Sequence, residues 1–553
     1  MQDFSRRTFF GGASLLLVGA ATSCGTSDKS DSVAESAGSR TSLPASLSFD
    51  ADTYTEQTTT IATDAGDKEV TYRFYGPLAY VANPVNADYQ SLVISVPVSI
   101  DGVAVDARNA PIVFSNAVGG YMPASVKDAT GVGEASMEMG AIGGGMPPMG
   151  GAGGGMPPMG GAGGGMPTTD GSATGEVESG GNAMLDARGG MVSLPKLALA
   201  AGYVAIEPGC RGRSLTDAAG VYYGTAPAAI VDLKAAIRYV KANSSTIPGN
   251  TDRIVSTGTS AGGALSALLG ASGDSSLYEP FLTELGAADA SDAIFATGAW
   301  CPITDLEHAD AAYEWNWGTN VTATGDVVDQ TVSSELRSLF AEDQMSLGLQ
   351  GLDNFGAITA ANYSDYLLQT YLQPSATEYL LVLSDSDRSA YLTANPFISW
   401  ANNKATFSWP DYLSHVGARK KSAPAFDAFD LSAGENNLFG AGTTMARHFT
   451  PYSAQRDTTG LATRTVESDV EDTVVLMNPM YFIGKENEAR SKDWWIRLGT
   501  KDSDTALTVS CNLAAAVDGL GDNVDHRMYW DEGHGSNTDA ADFITWVGTV
   551  AGR

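Results

Sequence analysis

Three kinds of side chain in this sequence could together open an ester or amide bond: a serine set among small residues, a histidine that follows it, and carboxylates between the two. The serine is Ser260, within residues 253–270, RIVSTGTSAGGALSALLG. The stretch from Arg253 to Thr257 is β-branched and apolar and predicts a buried strand; Ala264, Leu265, Ala267, Leu268 and Leu269 predict a helix. Gly258-Thr259-Ser260-Ala261-Gly262 thus forms GxSxG at a strand-to-helix turn, where a serine is held strained and exposed at the end of a buried strand. A chain rich in glycine and serine can carry GxSxG by chance in a capping turn, and it is the flanking strand and helix that select the nucleophile.

A serine hydroxyl needs a base to take its proton and a carboxylate to orient that base, and after such an elbow they follow in the order acid, then histidine. All five histidines come after Ser260. His308, His415 and His448 fall in a long aromatic-rich insert, and His526 begins the final strand. His534, in Trp530-Asp531-Glu532-Gly533-His534-Gly535, sits on the loop after that strand, where small neighbours let its imidazole swing over the serine. The acid should follow the penultimate strand, where Asp502 and Asp504 both stand. Asp502, three residues beyond Gly499, can reach the histidine; Asp504, next to a helix start, can also serve as its cap. Two N–H donors should meet the developing oxyanion: that of Ala261, and that of Gly119 in the glycine-containing loop at 116–121.

These residues require elements that bring distant parts of the chain to one sheet edge. Buried-strand patterns recur at residues 110–118, 203–207, 293–301, 494–498 and 524–530, with amphipathic helices between them. Pro227 stands at a helix start, and Ile230, Leu233, Ile237 and Val240 follow at helical spacing. A terminal helix begins near Thr538. This predicts an α/β protein with a mostly parallel sheet flanked by helices. Because the motifs run from Asn116 to His534 and must converge, residues 46–553 are expected to form one catalytic domain with two inserts. At 124–181 the chain is rich in Gly, Met and Pro, with GGGMPPMGGA repeating from Gly143. Such a tract cannot bury a core and reads as disordered. At about 303–490 the aromatic-rich insert reads as a lid over the site.

The ends suggest a compartment. Ser5-Arg6-Arg7-Thr8-Phe9-Phe10 before an apolar run predicts a twin-arginine export signal over residues 1–24, too short for an ordinary membrane span. Ala21-Thr22-Ser23-Cys24 makes Cys24 the candidate for lipidation, and residues 25–45 suit a polar tether. The product would be a surface lipoprotein or a secreted protein. With 64 acidic against 32 basic residues, a formal charge of −32, the chain should repel nucleic acid and anionic lipid. Cys210, Cys301 and Cys511 show no zinc-ligand spacing, and no metal or other cofactor is expected.

NAVGGYMP from Asn116, GCRGR from Gly209, APAAIVDLKAAIRYVK from Ala226, GTSAGGALSALLGASG from Gly258, CPITDLEHADAAYEW from Cys301 and RLGTKDSD from Arg497 together resemble the bacterial tannases of the intestinal and lactic-acid type. The resemblance spans most of the chain from about Ala110 onward. It implies an α/β-hydrolase fold, an inserted lid, a Ser260–Asp502–His534 triad, and galloyl hydroxyls held by Lys421, Glu435 and Asp504, with Lys420 as the alternative lysine. Phenolic hydroxyls both donate and accept, so carboxylates and an ammonium suit them. Fungal tannases and related feruloyl esterases carry cysteines beside the serine and histidine; here no cysteine is a chain neighbour of Ser260 or His534. The implied activity is hydrolysis of galloyl esters of tannins and polyphenols through an acyl-enzyme. An esterase for feruloyl or other aromatic esters is the nearest alternative, and an inactive surface-binding module on the same scaffold is the remote one.

Overall fold

The computed structural model describes residue 43 and residues 45–137 and 192–553. The expected export signal, Cys24, nearly all of the expected tether and the Met-rich repeat lie outside the described residues. From Leu43 to Arg553 the chain forms one compact unit.

Its centre is a twisted sheet whose main strands are β1 (Thr55–Ile61), β2 (Lys68–Ala79), β3 (Ser91–Ile100), β4 (Ile112–Ser115), β5 (Val204–Pro208), β6 (Ile254–Thr259), β7 (Ala296–Trp300), β8 (Asp493–Gly499) and β9 (Asn523–Tyr529). Their order across the sheet is β1-β2-β3-β5-β4-β6-β7-β8-β9. The first strands pair antiparallel, through β3 with β5, and from β5 to β9 every pairing is parallel. The parallel strands are those expected from apolar runs, each within a few residues of its sequence bounds. Strands β5 and β7 are buried along their whole length and β6 over its first five residues, which is why they read as continuous apolar or small-residue runs.

Five helices cover this part of the sheet: α1 (Leu194–Ala200), α2 (Ala228–Ala242), α3 (Ala261–Ala271), and, after the insert, α6 (Leu507–Asp518) and α7 (Ala540–Val550). Within the insert, α4 (Leu306–Trp317) and α5 (Gln330–Leu347) come first. Helix α2 is so enclosed that Asp232 and Lys234 are fully buried. Each has a partner: Arg211 forks onto Asp232, and Lys234 and Arg238 converge on Asp292. Burying such charges unpaired would cost several kcal/mol each.

Residues 301–492 link β7 to β8, two strands that pair directly in the sheet. Trp315, Phe340, Tyr363 and Trp409 pack with ring centroids 5.1–6.0 Å apart. Tyr313 and Trp317 of α4 anchor this insert to the loop after β8 by donating to the carbonyls of Ser503 and Thr505.

The Gly/Met/Pro insert begins later than composition implied. Ala124–Ser125 pairs antiparallel with Ser136–Met137, and Ala124, Val126, Ala129 and Val132 are buried. Buried Glu207 accepts from the N–H groups of Gly133 and Ala135, so residues 124–137 belong to the fold despite their small, polar composition.

Candidate active site

Ser260 stands between β6 and α3 with φ 61° and ψ −122°. The turn closes because the residues two positions before and after Ser260 are glycines. A Cβ on Gly258 would lie 2.4 Å from the Gly262 carbonyl oxygen, and one on Gly262 would lie 2.5 Å from Asn116 Oδ1. Asn116 occupies the space so made. Its Nδ2 donates to the carbonyls of Thr257 and Gly262 and to Ser266 Oγ, all at 3.1 Å. The Gly262 N–H in turn donates to the Val118 carbonyl. The 116–121 loop is thereby stitched to the elbow, which sets Gly119 and Ala261 on adjoining segments. Among the described residues, no loop or turn carbonyl takes the N–H of either. Met137 Sδ packs close over Gly119, near enough to clash with a Cβ there.

The ends of β6, β8 and β9 bring three side chains into line. His534 Nε2 is 2.8 Å from Ser260 Oγ, and His534 Nδ1 is 2.7 Å from Asp502 Oδ2. Asp502 is fully buried. The arrangement can move a proton from the serine to the imidazole while the carboxylate holds the ring and balances its charge. Burial opposes the charged imidazolium of His534, but Asp502 and the nearby Cys301 favour it, and the balance lies above the ordinary histidine value. Asp504 is separate from this line: its N–H donates to Asp502 Oδ1, and its carboxylate pairs with Lys420 Nζ at 2.5 Å.

A thiol also enters the site. Cys301, first residue after β7, places Sγ 3.9 Å from His534 Nε2 and has φ 37°. Chain adjacency could not reveal it, since the cysteine arrives on a neighbouring strand. The cysteines at 210, 301 and 511 are all free and buried.

The likenesses to known proteins agree with this geometry. A family model described as BD-FAE, an esterase domain of the α/β-hydrolase type, matches residues 191–337. No curated protein sequence matches the chain. Among solved structures, the Fusobacterium nucleatum tannase is 32% identical with a TM-score of 0.70, the alignment covering 91% of this chain and 99% of that one. The chain belongs to the bacterial tannase family. The native tannin acyl hydrolase of Lactobacillus plantarum is 30% identical with a TM-score of 0.71, over 91% and 99% of the two chains. A tannin acyl hydrolase solved with ethyl gallate is 31% identical with the same TM-score and coverage. As a member of this family the protein is a carboxylic ester hydrolase of α/β-hydrolase fold.

Within this tannase fold, the residues implied as galloyl contacts are linked in series: Asp504 interacts with His534 and Lys421, and Lys421 with Glu435. Lys421 Nζ is 3.9 Å from Glu435 Oε1 and 3.7 Å from the centroid of the Phe426 ring. Both lysine backbones are fixed by Tyr313, whose hydroxyl accepts from the N–H groups of Lys420 and Lys421. Burial would raise the Asp504 pKa, but His534, Lys420 and Lys421 together hold it below the usual carboxylate value. The lysine alternatives are thus both present: Lys420 serves Asp504, and Lys421 faces Glu435. Sequence reasoning missed Arg213 here. Its Nε donates to the Gly120 carbonyl at 2.7 Å, and its guanidinium reaches 2.9 Å from where a Gly434 Cβ would stand, tying the 116–121 loop to the segment that carries Glu435. The GCRGR motif contained it without indicating this link.

Proposed function

We propose that the protein hydrolyses galloyl esters of tannins and small gallates through an acyl-enzyme on Ser260. His534 takes the serine proton as Oγ attacks the ester carbonyl, then returns it to the leaving alcohol. Asp502 holds the imidazole in the required tautomer. The N–H groups of Ala261 and Gly119 receive the oxyanion. Water, deprotonated by the same histidine, then releases gallate. The observation that carries this reading is the Ser260–His534–Asp502 line, with Asp504 beside it and Lys421 and Glu435 linked to it through Asp504. The ethyl gallate bound by a solved relative adds support.

Substrate choice should show in the pocket rather than the triad. Each charged hydrogen bond to a galloyl hydroxyl contributes about 1.5–3 kcal/mol, and an acetate has no such hydroxyls. Glu435→Ala, Lys421→Ala and Asp504→Asn are each expected to lower kcat/KM for methyl gallate by at least about tenfold, with far smaller losses on an aryl acetate. Equal losses on both substrates would assign these residues to the fold or the triad. Wild-type rates on methyl gallate, methyl ferulate and an aryl acetate test the substrate class itself, and a preference for ferulate would favour the feruloyl alternative.

The same proposal includes export by the twin-arginine route, with Cys24 as a lipid anchor, supported by the residues that precede the fold. Replacing Arg6 and Arg7 by lysines should retain the protein in the cytoplasm, read by cell fractionation. Normal export of that variant would argue for another route.

A further inference from the structure

The loops that carry Asp502 and His534 are joined to each other along a seam. The Thr500 N–H donates to the Tyr529 carbonyl and the Lys501 N–H to the Glu532 carbonyl, while the Asp531 N–H donates to Thr500 Oγ1 at 2.9 Å. Gly499 permits this approach, since a Cβ there would run into the carbonyl oxygens of Glu532 and Gly533. One ion pair closes the seam: Lys501 Nζ lies 3.0 Å from Asp531 Oδ1. Lys501 immediately precedes Asp502, and Asp531 stands three positions before His534, so the pair bridges the two loops close to both triad members.

The insert grips the same carboxylate. His415, on the helix Trp409–Val416, places Nε2 2.5 Å from Asp531 Oδ1, and Tyr391, on the helix Asp385–Ala394, donates its hydroxyl to Asp531 Oδ2. Trp530 Nε1 donates to the Tyr391 hydroxyl at 2.7 Å, and the His415 ring stacks on Trp530 with centroids 5.6 Å apart and planes 7° from parallel. Tyr412, on the same helix as His415, donates to the Thr500 carbonyl on the other loop. Burial would raise the Asp531 pKa, but His415, Tyr391 and Lys501 hold its carboxyl below the usual carboxylate range. Its side chain bonds these three residues and no member of the triad.

We propose that Asp531 is a positioning residue, through which the seated insert keeps Asp502 and His534 in line. The proposal rests on the triad reading given above. The His534 ring has to satisfy Asp502 at 2.7 Å and Ser260 at 2.8 Å at once, and a displacement of about 1 Å at such a site can cost on the order of 10²-fold in rate. With its carboxylate in place, Asp531 pins the two loops together through Lys501 and pins both to two helices of the insert through His415 and Tyr391. Without it, Lys501 and His415 lose their common acceptor, and the seam keeps only its backbone and Thr500 bonds. His534 acts in both acylation and deacylation, so the loss falls on kcat whichever step limits and whichever ester is used. The chain order puts Asp531 beside His534, but its partners at 391, 415 and 501 meet it only in the fold.

Asp531→Asn and Tyr391→Phe in the full chain test this, with methyl gallate and an aryl acetate as substrates and thermal melts to verify folding. Asparagine tolerates the left-handed backbone that Asp531 adopts at φ 62°, and Tyr391→Phe alters no charge. For Asp531→Asn, kcat is expected to fall at least about tenfold on both esters with KM changed less than about threefold, the pattern of an interaction realised in the transition state. Tyr391→Phe, which removes one hydrogen bond, should show the same pattern at roughly threefold to tenfold. The acid limb of kcat/KM supplies the reading that a merely structural role would leave in place. Tyr391→Phe leaves the charges of Asp502 and Asp504 beside His534 untouched, so a limb moved to lower pH reports a loosened Asp502–His534 bond. Undiminished kcat in a folded Asp531→Asn, losses confined to KM for gallate, or an unmoved limb in Tyr391→Phe would each overturn the proposal and leave Asp531 as a fastener of the insert. If Asp531→Asn does not fold, Tyr391→Phe decides alone. Retained activity in Ser260→Ala would instead remove the triad reading beneath it.

Discussion

Ser260→Ala is expected to reduce turnover on every ester by on the order of 10⁶-fold, the loss seen when a serine hydrolase gives up its nucleophile, with the fold retained. The substitution removes Oγ, which faces His534 Nε2. It leaves in place the backbone bonds that define the turn: the Ser260 N–H to the Trp300 carbonyl, and the Ala264 N–H to the Ser260 carbonyl. Alanine also keeps a Cβ, so the turn is no easier or harder to form. Turnover on methyl gallate, with circular dichroism to verify folding, checks the outcome. A folded variant retaining a tenth of wild-type turnover would exclude Ser260 as the nucleophile.

Asp502→Asn should cost about 10⁴-fold in kcat. An asparagine fits the same space but offers an N–H to His534 Nδ1, which drives the ring into the tautomer whose Nε2 already carries hydrogen and cannot accept from Ser260. The pH profile gives a second reading. In the wild type, His534 loses its capacity as a base when it takes up a proton, so kcat/KM falls on the acid side. Burial works against the imidazolium, and Asp502 and Cys301 more than offset it, so that limb should lie above the ordinary value of about 6.5. Without the Asp502 charge the burial effect gains weight, and the limb of the residual activity should move to lower pH. A limb that stays in place would mean that another group controls it.

The elbow was legible because every residue it needs is local: strand, glycines and helix lie within eighteen positions. Asp502 was legible because it follows a strand that burial made largely apolar, and His534 through its place in a glycine-flanked loop after the last strand, although that strand is only partly buried. The antiparallel strands β1 to β3 escaped notice. In β1, TEQTTTI, only Ile61 is fully buried, and a largely exposed edge strand carries little hydrophobic signal. Residues 124–137 misled by composition, because their burial depends on Glu207 and on strand pairing across the loop rather than on large apolar side chains. Cys301 and Arg213 reach the site by tertiary approach, which spacing along the chain does not encode. The Lys421, Glu435 and Asp504 group came from family resemblance; their own neighbours, a basic run and two turns, carry no such indication.

The backbone at Ser260 also sets a limit on how far this protein could be stabilised. A residue with a Cβ held at φ 61° and ψ −122° costs about 1–3 kcal/mol relative to relaxed backbone, and Tyr121, Cys301 and Asp531 near the site likewise have positive φ. Glycine at position 260 would relieve that strain and remove the proposed nucleophile in one step. Selection for heat resistance alone, with no demand for turnover, would therefore favour erasing the elbow serine, and a screen intended to toughen the enzyme has to score activity and melting temperature together.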